Sequence, residues 1–223
     1  MTRLQGPAAA FNTPAARKTS TRRNSRMRYG FWSSKSGPQK LDGYTEFLWA
    51  MSFELNASVH RYKAQPERIK YTKEDGRPGH TTPDFLVDYG LGRLRMLECK
   101  PEKLVKKYEH RTKACIEHYA LCQVKYEVVT EVDIEFGHPY RHFNARQIFD
   151  RRMQEVPYEF PFRVSEAFAK GAPKTLGDLK EILGITCPDN LYKLHIDGYL
   201  FIDYFEDPLG NDTKVSKLRD FVG

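Results

Sequence analysis

The sequence has no apolar run near the eighteen or so residues that a membrane span requires, and its first residues lack the apolar core of a secretory signal. No membrane contact and a cytoplasmic location are therefore expected. Cysteine is scarce. Cys99, Cys115, Cys122 and Cys187 form no CxxC pair, which argues against a disulfide framework and against a zinc ribbon. Cys115, His118 and Cys122 share helical spacing, but three ligands on one helix rarely converge on one ion, so they read as buried thiols and a surface histidine. Acidic residues are missing altogether from residues 1–40, which hold nine Lys or Arg. Against a whole-chain balance of 36 basic and 29 acidic residues, this leaves a +9 segment and a body of −2.

A stretch rich in Ala, Ser, Thr, Pro and Arg buries too little apolar surface to order itself, so residues 1–40 read as a flexible basic arm. Its natural partner is a polyanion, with Arg17, Lys18, Arg22, Arg23, Arg26 and Arg28 as candidate DNA-binding residues. A purely solubilising tail is the alternative. Tyr29, Phe31 and Trp32 beside it are placed either to stack on bases or to pack on the core.

The body divides by pattern. Helical spacing runs over Leu41 to Leu55, with Asp42 as a cap. Short strands are expected at Val59 to Lys63 and Arg68 to Thr72. Two more, Thr82 to Tyr89 and Arg93 to Lys100, flank Gly90-Leu91-Gly92 as a hairpin. A helical stretch from Glu102 to Gln123 and a strand from Val124 to Ile134 follow. This order describes an α/β core with a mixed central sheet over residues 41–136. Residues 137–173, broken by proline and glycine, read as a linker with short helices. Residues 174–223 read as helix, turn, helix and two strands, a winged-helix-like domain.

The hairpin carries the chemistry. If its turn centres on Leu91, residues whose numbers sum to 182 face one another, which makes Asp84 and Glu98 direct cross-strand neighbours. Lys100, two residues on, shares their face. Two carboxylates at one point repel by about 3 kcal/mol at ~5 Å for an effective dielectric near 20. A divalent cation reverses that sign, and hard oxygen ligands suit Mg²⁺, with Mn²⁺ as substitute. The Lys100 ammonium is then available to orient the attacking water and offset transition-state charge. A solvated salt-bridge cluster is the structural alternative. From the preceding helix Glu46 is preferred over Glu54 as a further metal ligand, because apolar residues flank it. The seven histidines, with no companions at ligand spacing, read as surface or packing residues.

Tyr44-Thr45-Glu46-Phe47-Leu48, Phe53-Glu54, Gln65-Pro66, Thr82-Pro83-Asp84-Phe85 and Leu97-Glu98-Cys99-Lys100-Pro101 together resemble the TnsA family. These are endonuclease subunits of heteromeric transposases with a restriction-endonuclease-like PD-(D/E)xK core. The resemblance implies Glu46, Asp84 and Glu98 as metal ligands and Lys100 as the catalytic lysine. It implies cleavage of the 5′ strands at the ends of a mobile element, on double-stranded DNA. It also implies a DDE-type transposase subunit for the 3′ strands and an AAA+ ATPase regulator. The C-terminal module points to a protein partner independently, with a structural cap on the nuclease core as the alternative: Pro188 to Asp212 carries six acids and one lysine, unlike a helix that reads phosphates. A free-standing restriction or repair nuclease, and a DNA-bound adaptor with a degenerate site, are the competing functions.

Overall fold

The computed structural model describes residues 7–16, 29–134, 139–205 and 207–219. The chain forms two compact units, residues 1–50 with 59–134 and residues 51–58 with 135–223. The division falls inside helix α1 (Tyr44–Leu55).

The first unit is built on a four-stranded mixed sheet of order β3-β6-β7-β8, formed by Arg61–Ala64, Phe85–Asp88, Leu94–Cys99 and Lys125–Val129. β6 and β7 pair antiparallel with Phe85 opposite Leu97 and Leu86 opposite Met96, the register expected from a turn centred on Leu91. The turn is why. Gly90, Leu91 and Gly92 all take positive φ, and Tyr89 N–H and Arg93 N–H bond back across it to Arg93 O and Gly90 O. A Cβ on Gly90 would stand 2.5 Å from the His60 ring, so glycine is required there twice over. Asp88 completes the corner by accepting from Gly90 N–H and from Arg61 Nε. A slip of one residue would turn every side chain of the hairpin over, and this corner prevents it.

β8 runs parallel to β7, so the connection must cross over, and helix α2 (Glu109–Ala120) does so. Residues 102–108, expected as part of one long helix, are two short 3-10 turns that precede α2. Cys115 and Tyr119 of α2 pack with Leu86, Met96, Tyr126, Val124, Ile69 and Ala10. Leu86 and Met96 are fully enclosed, each worth about 1.5–3 kcal/mol of burial. They share a face with Asp84 and Glu98, so this face is apolar at one end and ionic at the other. Both faces of the hairpin are buried, since Phe85, Val87 and Leu97 are equally enclosed on the opposite side. The sheet is therefore covered on both sides.

One further hairpin was not anticipated, and another was expected only in its first strand, at Arg68 to Thr72. β1 (Tyr29–Ser33) pairs with β2 (Gly37–Leu41), inside the stretch expected as an arm, and residues 7–12 form a 3-10 helix whose Ala10 is buried. Side-chain hydrogen bonds explain the first: Ser36 Oγ accepts from Tyr62 N–H and Gln39 Oε1 from Ala64 N–H, which hydrophobic patterning does not reveal. Tyr29 stacks on Phe47 at 4.9 Å and Phe31 meets it edge-on, so both pack rather than present their rings. The Lys63 ammonium holds the carbonyls of Ala10 and Thr13. The third hairpin pairs β4 (Ile69–Thr72) with β5 (Pro78–Thr81). Arg17, Lys18, Arg22, Arg23, Arg26 and Arg28 lie outside the described residues.

In the second unit, residues 139–171 are two full helices, α3 (Pro139–Phe149) and α4 (Phe160–Gly171), where a linker with short helices was expected. Phe160, Val164 and Ala167 give α4 a buried stripe, and its end is set by Ala172 in the left-handed region. α5 (Leu176–Leu183) has a complete capping box, Thr175 with Asp178, and ends at Gly184 with φ 65°. α6 (Asp189–Ile196) and the antiparallel pair β9 (Leu200–Ile202) and β10 (Val215–Lys217) follow. Asn144, fully enclosed, staples the loop between these strands, donating to Tyr204 O and Asp207 O and accepting from Leu209 N–H. His195 is a packing residue: buried, its Nδ1 accepts from Ile202 N–H.

Candidate active site

Asp84 sits one residue before β6 and Glu98 one residue before the end of β7. Asp84 N–H bonds to Leu97 O at 3.0 Å, which extends the hairpin ladder to the aspartate. The Asp84 carboxylate in turn accepts from Cys99 N–H at 2.8 Å through Oδ2. One strand thus holds the backbone of the aspartate and the tip of its side chain. Lys100, just past β7, is anchored by its N–H to Val129 O. Its ammonium contacts Glu98 Oε1 directly and stands 3.9 Å from Asp84 Oδ2. The three hairpin residues singled out from the sequence therefore meet.

Burial makes this cluster chemically unusual. Asp84 is 5% exposed and Glu98 3%. Desolvation, then the Glu98 and Glu46 charges, push the Asp84 carboxyl well above the usual carboxylate range, against the pull of Lys100 and the Cys99 N–H. Burial likewise raises the adjacent Cys99 thiol, reinforced by the Asp84, Glu46 and Glu98 charges. Cys99 is thus a packing thiol rather than a nucleophile.

These residues open into a cleft of about 970 Å³, whose walls include Glu46, Arg68, His80, Tyr108 and Arg111. Glu46 reaches it from the first turn of α1, where its Oε2 accepts from Asp42 N–H at 2.9 Å. The acid at that position both ties down the helix start and faces the carboxylate pair. Glu54 is fully buried and is not among the cleft-lining residues.

One participant escaped the sequence. Arg111 of α2 donates through Nη2 to Glu98 Oε1 at 2.7 Å, and its guanidinium lies 4.5 Å from the centre of the Tyr108 ring. Nothing in the local pattern distinguishes Arg111 from its basic neighbours; only the parallel crossover brings it over β7.

Among the described residues, no three His, Cys, Asp or Glu side chains are gathered at coordinating distance. The donor chemistry nevertheless fits a hard divalent cation. The four acids lining the cleft, Asp42, Glu46, Asp84 and Glu98, all offer oxygen, and Glu98 Oε2 is enclosed without a hydrogen-bond partner, an orphaned charge-bearing atom that a cation would satisfy.

The family model described as TnsA-like endonuclease N terminal matches residues 56–131. That segment runs from before β3 to just past β8 and contains Asp84, Glu98, Lys100 and Arg111, while Glu46 lies ahead of it. The match bears out the resemblance read from the sequence motifs and supports a nuclease related to transposase subunits. No curated protein matches the chain.

Proposed function

With a TnsA-like endonuclease segment at residues 56–131 as the premise, we propose that this chain is the endonuclease subunit of a heteromeric transposase. It hydrolyses phosphodiester bonds of the 5′ strands at the ends of a mobile element. The observation that carries the reading is the enclosed Asp84–Glu98–Lys100 cluster at the cleft, with the Asp84 carboxyl pushed upward. A fold gains nothing from burying two like charges side by side; a site that needs them does.

Glu46, Asp84 and Glu98 would hold Mg²⁺, or Mn²⁺ in its place. When bound, the ion supplies charge neutralisation at phosphate and a more acidic water. The remaining roles belong to the chain. Lys100 presents its ammonium to the phosphate oxygens and to the attacking water, offsetting negative charge as the water oxygen bonds to phosphorus and the strand's P–O bond breaks. Arg111 holds Glu98 in place. The Cys99 N–H fixes the Asp84 rotamer.

The second unit, with its order of helix, turn, helix and strand pair, is proposed as a winged-helix-like module for a protein partner, the regulatory ATPase. Its acidic character is narrower than composition suggests. Asp189 pairs with Arg151 at 2.8 Å and Asp197 with Lys193, which leaves Asp203, Asp207 and Asp212 as the described acids of this stretch without a salt bridge.

The test combines the protein, a DDE-type transposase subunit, element-end DNA and Mg²⁺. Asp84→Ala is expected to abolish 5′-strand cleavage while 3′ cleavage persists. Retained 5′ cleavage would sink the assignment, and cleavage by the chain alone would favour a free-standing nuclease.

A further inference from the structure

The β4–β5 hairpin carries a cationic face that the site chemistry does not use. In its register Lys70 lies opposite His80 and Ile69 opposite Thr81. Alternation along the strands therefore puts Arg68, Lys70, His80 and Thr82 on one face and Ile69, Tyr71, Gly79 and Thr81 on the other. The second face is the mounting. Ile69 enters the core beneath α2, Thr81 is buried, and a Cβ on Gly79 would stand 2.7 Å from the Tyr71 ring, which lies across it. His110 of α2 also bonds Thr72 O at 2.9 Å. The hairpin is thus held from behind and displays its basic face outward.

On that face Arg68, Lys70 and His80 are exposed, and Arg68, His80 and Thr82 line the same cleft as Asp84 and Glu98. No hydrogen bond or ion pair among the described residues engages the side chains of Arg68, Lys70 or His80. Cations of the central sheet behave differently. Arg61 is paired with Asp88, Arg95 and Lys125 with Glu127, and Lys100 with Glu98. Of the acids in and beside the hairpin, Glu67 falls on the alternate face, Asp75 pairs with Arg77, and Glu74 is exposed at the turn.

We propose that the outer face of the β4–β5 hairpin is a contact surface for the phosphodiester backbone of duplex DNA. Arg68 and Lys70 each neutralise one phosphate, and His80 hydrogen-bonds a third phosphate beside the cleft. The proposal rests on the nuclease reading and deepens it, since it adds anion contacts on residues other than those of the N-terminal basic run. Phosphate contacts of this kind fix the register of the strand and carry no sequence information.

The test is duplex binding as a function of salt, with full-length Asp84→Asn protein as the binder so that affinity is read without cleavage. Each phosphate contact contributes about 0.9 to the slope of log affinity against log salt. Arg68→Ala/Lys70→Ala in that background should flatten the slope by about 1.8. The affinity deficit it creates should then narrow roughly 12-fold between about 50 and 200 mM salt. Arg68→Lys should keep the full slope. Lys170→Ala/Lys174→Ala removes the same charge from the other unit and should leave the slope unaltered. An unchanged slope in the hairpin variant, equal flattening in the control, or no duplex binding at all overturns the proposal. Absence of metal-dependent cleavage by the Asp84-intact protein, with the slopes behaving as stated, would instead sink the nuclease reading alone.

Discussion

Replacing Arg111 by alanine should loosen the first unit and unsettle Glu98 at once. The guanidinium stands 2.7 Å from Glu98 Oε1, a gross attraction of about 6 kcal/mol at an effective dielectric near 20. Desolvation of both partners cancels much of that, and removing one member of a buried pair ordinarily costs about 3–5 kcal/mol. Here Glu98 keeps Lys100, so its charge is not abandoned. Loss of the stacking on Tyr108 adds about 0.5–1 kcal/mol. The net expectation is a destabilisation of about 2–3 kcal/mol, or ~5–10 °C in Tm for a chain of this length. Both tryptophans, Trp32 and Trp49, belong to the first unit, so their fluorescence reports its melting selectively. A cycle with Glu98→Gln should show a coupling of about 1–3 kcal/mol, and Arg111→Lys should restore part of it. Additive effects in the cycle, or an unchanged Tm for the alanine variant, would refute the assignment of Arg111 as the positioning partner of Glu98.

Two further expectations concern the same cluster and the basic run. Because burial and the Glu98 and Glu46 charges raise the Asp84 carboxyl, the folded protein binds that proton more tightly than the unfolded chain does. Its contribution is therefore favourable at low pH and is lost as pH rises through the folded value. Asp84→Asn, melted with a chelator present, should thus gain about 0.5–2 kcal/mol over the parent at pH 8 while losing cleavage. The gap should close towards pH 4, and a variant less stable than the parent at pH 8 would contradict the reasoning. For the basic run, removal of residues 1–40 would also delete the β1–β2 hairpin and the buried Ala10. Exchanging Arg17, Lys18, Arg22, Arg23, Arg26 and Arg28 for glutamine is the cleaner perturbation. It should flatten the salt dependence of DNA binding by up to about 5, at 0.9 per phosphate contact, and an unchanged slope would remove DNA binding from this segment.

What the sequence by itself determined was local. Glycine at 90 and 92 around Leu91 dictates a tight turn, the turn dictates the register, and the register brings Asp84 to Glu98 and Lys100. The capping box at Thr175 and Gly184 beyond α5 are legible for the same reason, since each depends on residues within a few positions of one another. Only the tertiary structure decided the rest. Arg111 is thirteen residues from Glu98 and meets it because β8 returns parallel to β7, which carries α2 over the sheet. Glu46 faces the carboxylates across the cleft through the placement of a helix, and Glu54 on the same helix does not line it. The β1–β2 hairpin, hidden in a stretch without acidic residues and poor in apolar pattern, exists because Ser36 and Gln39 find backbone N–H groups of β3 more than twenty residues away. Absence of negative charge says what a segment can attract. Whether it is ordered depends on partners that no local pattern names.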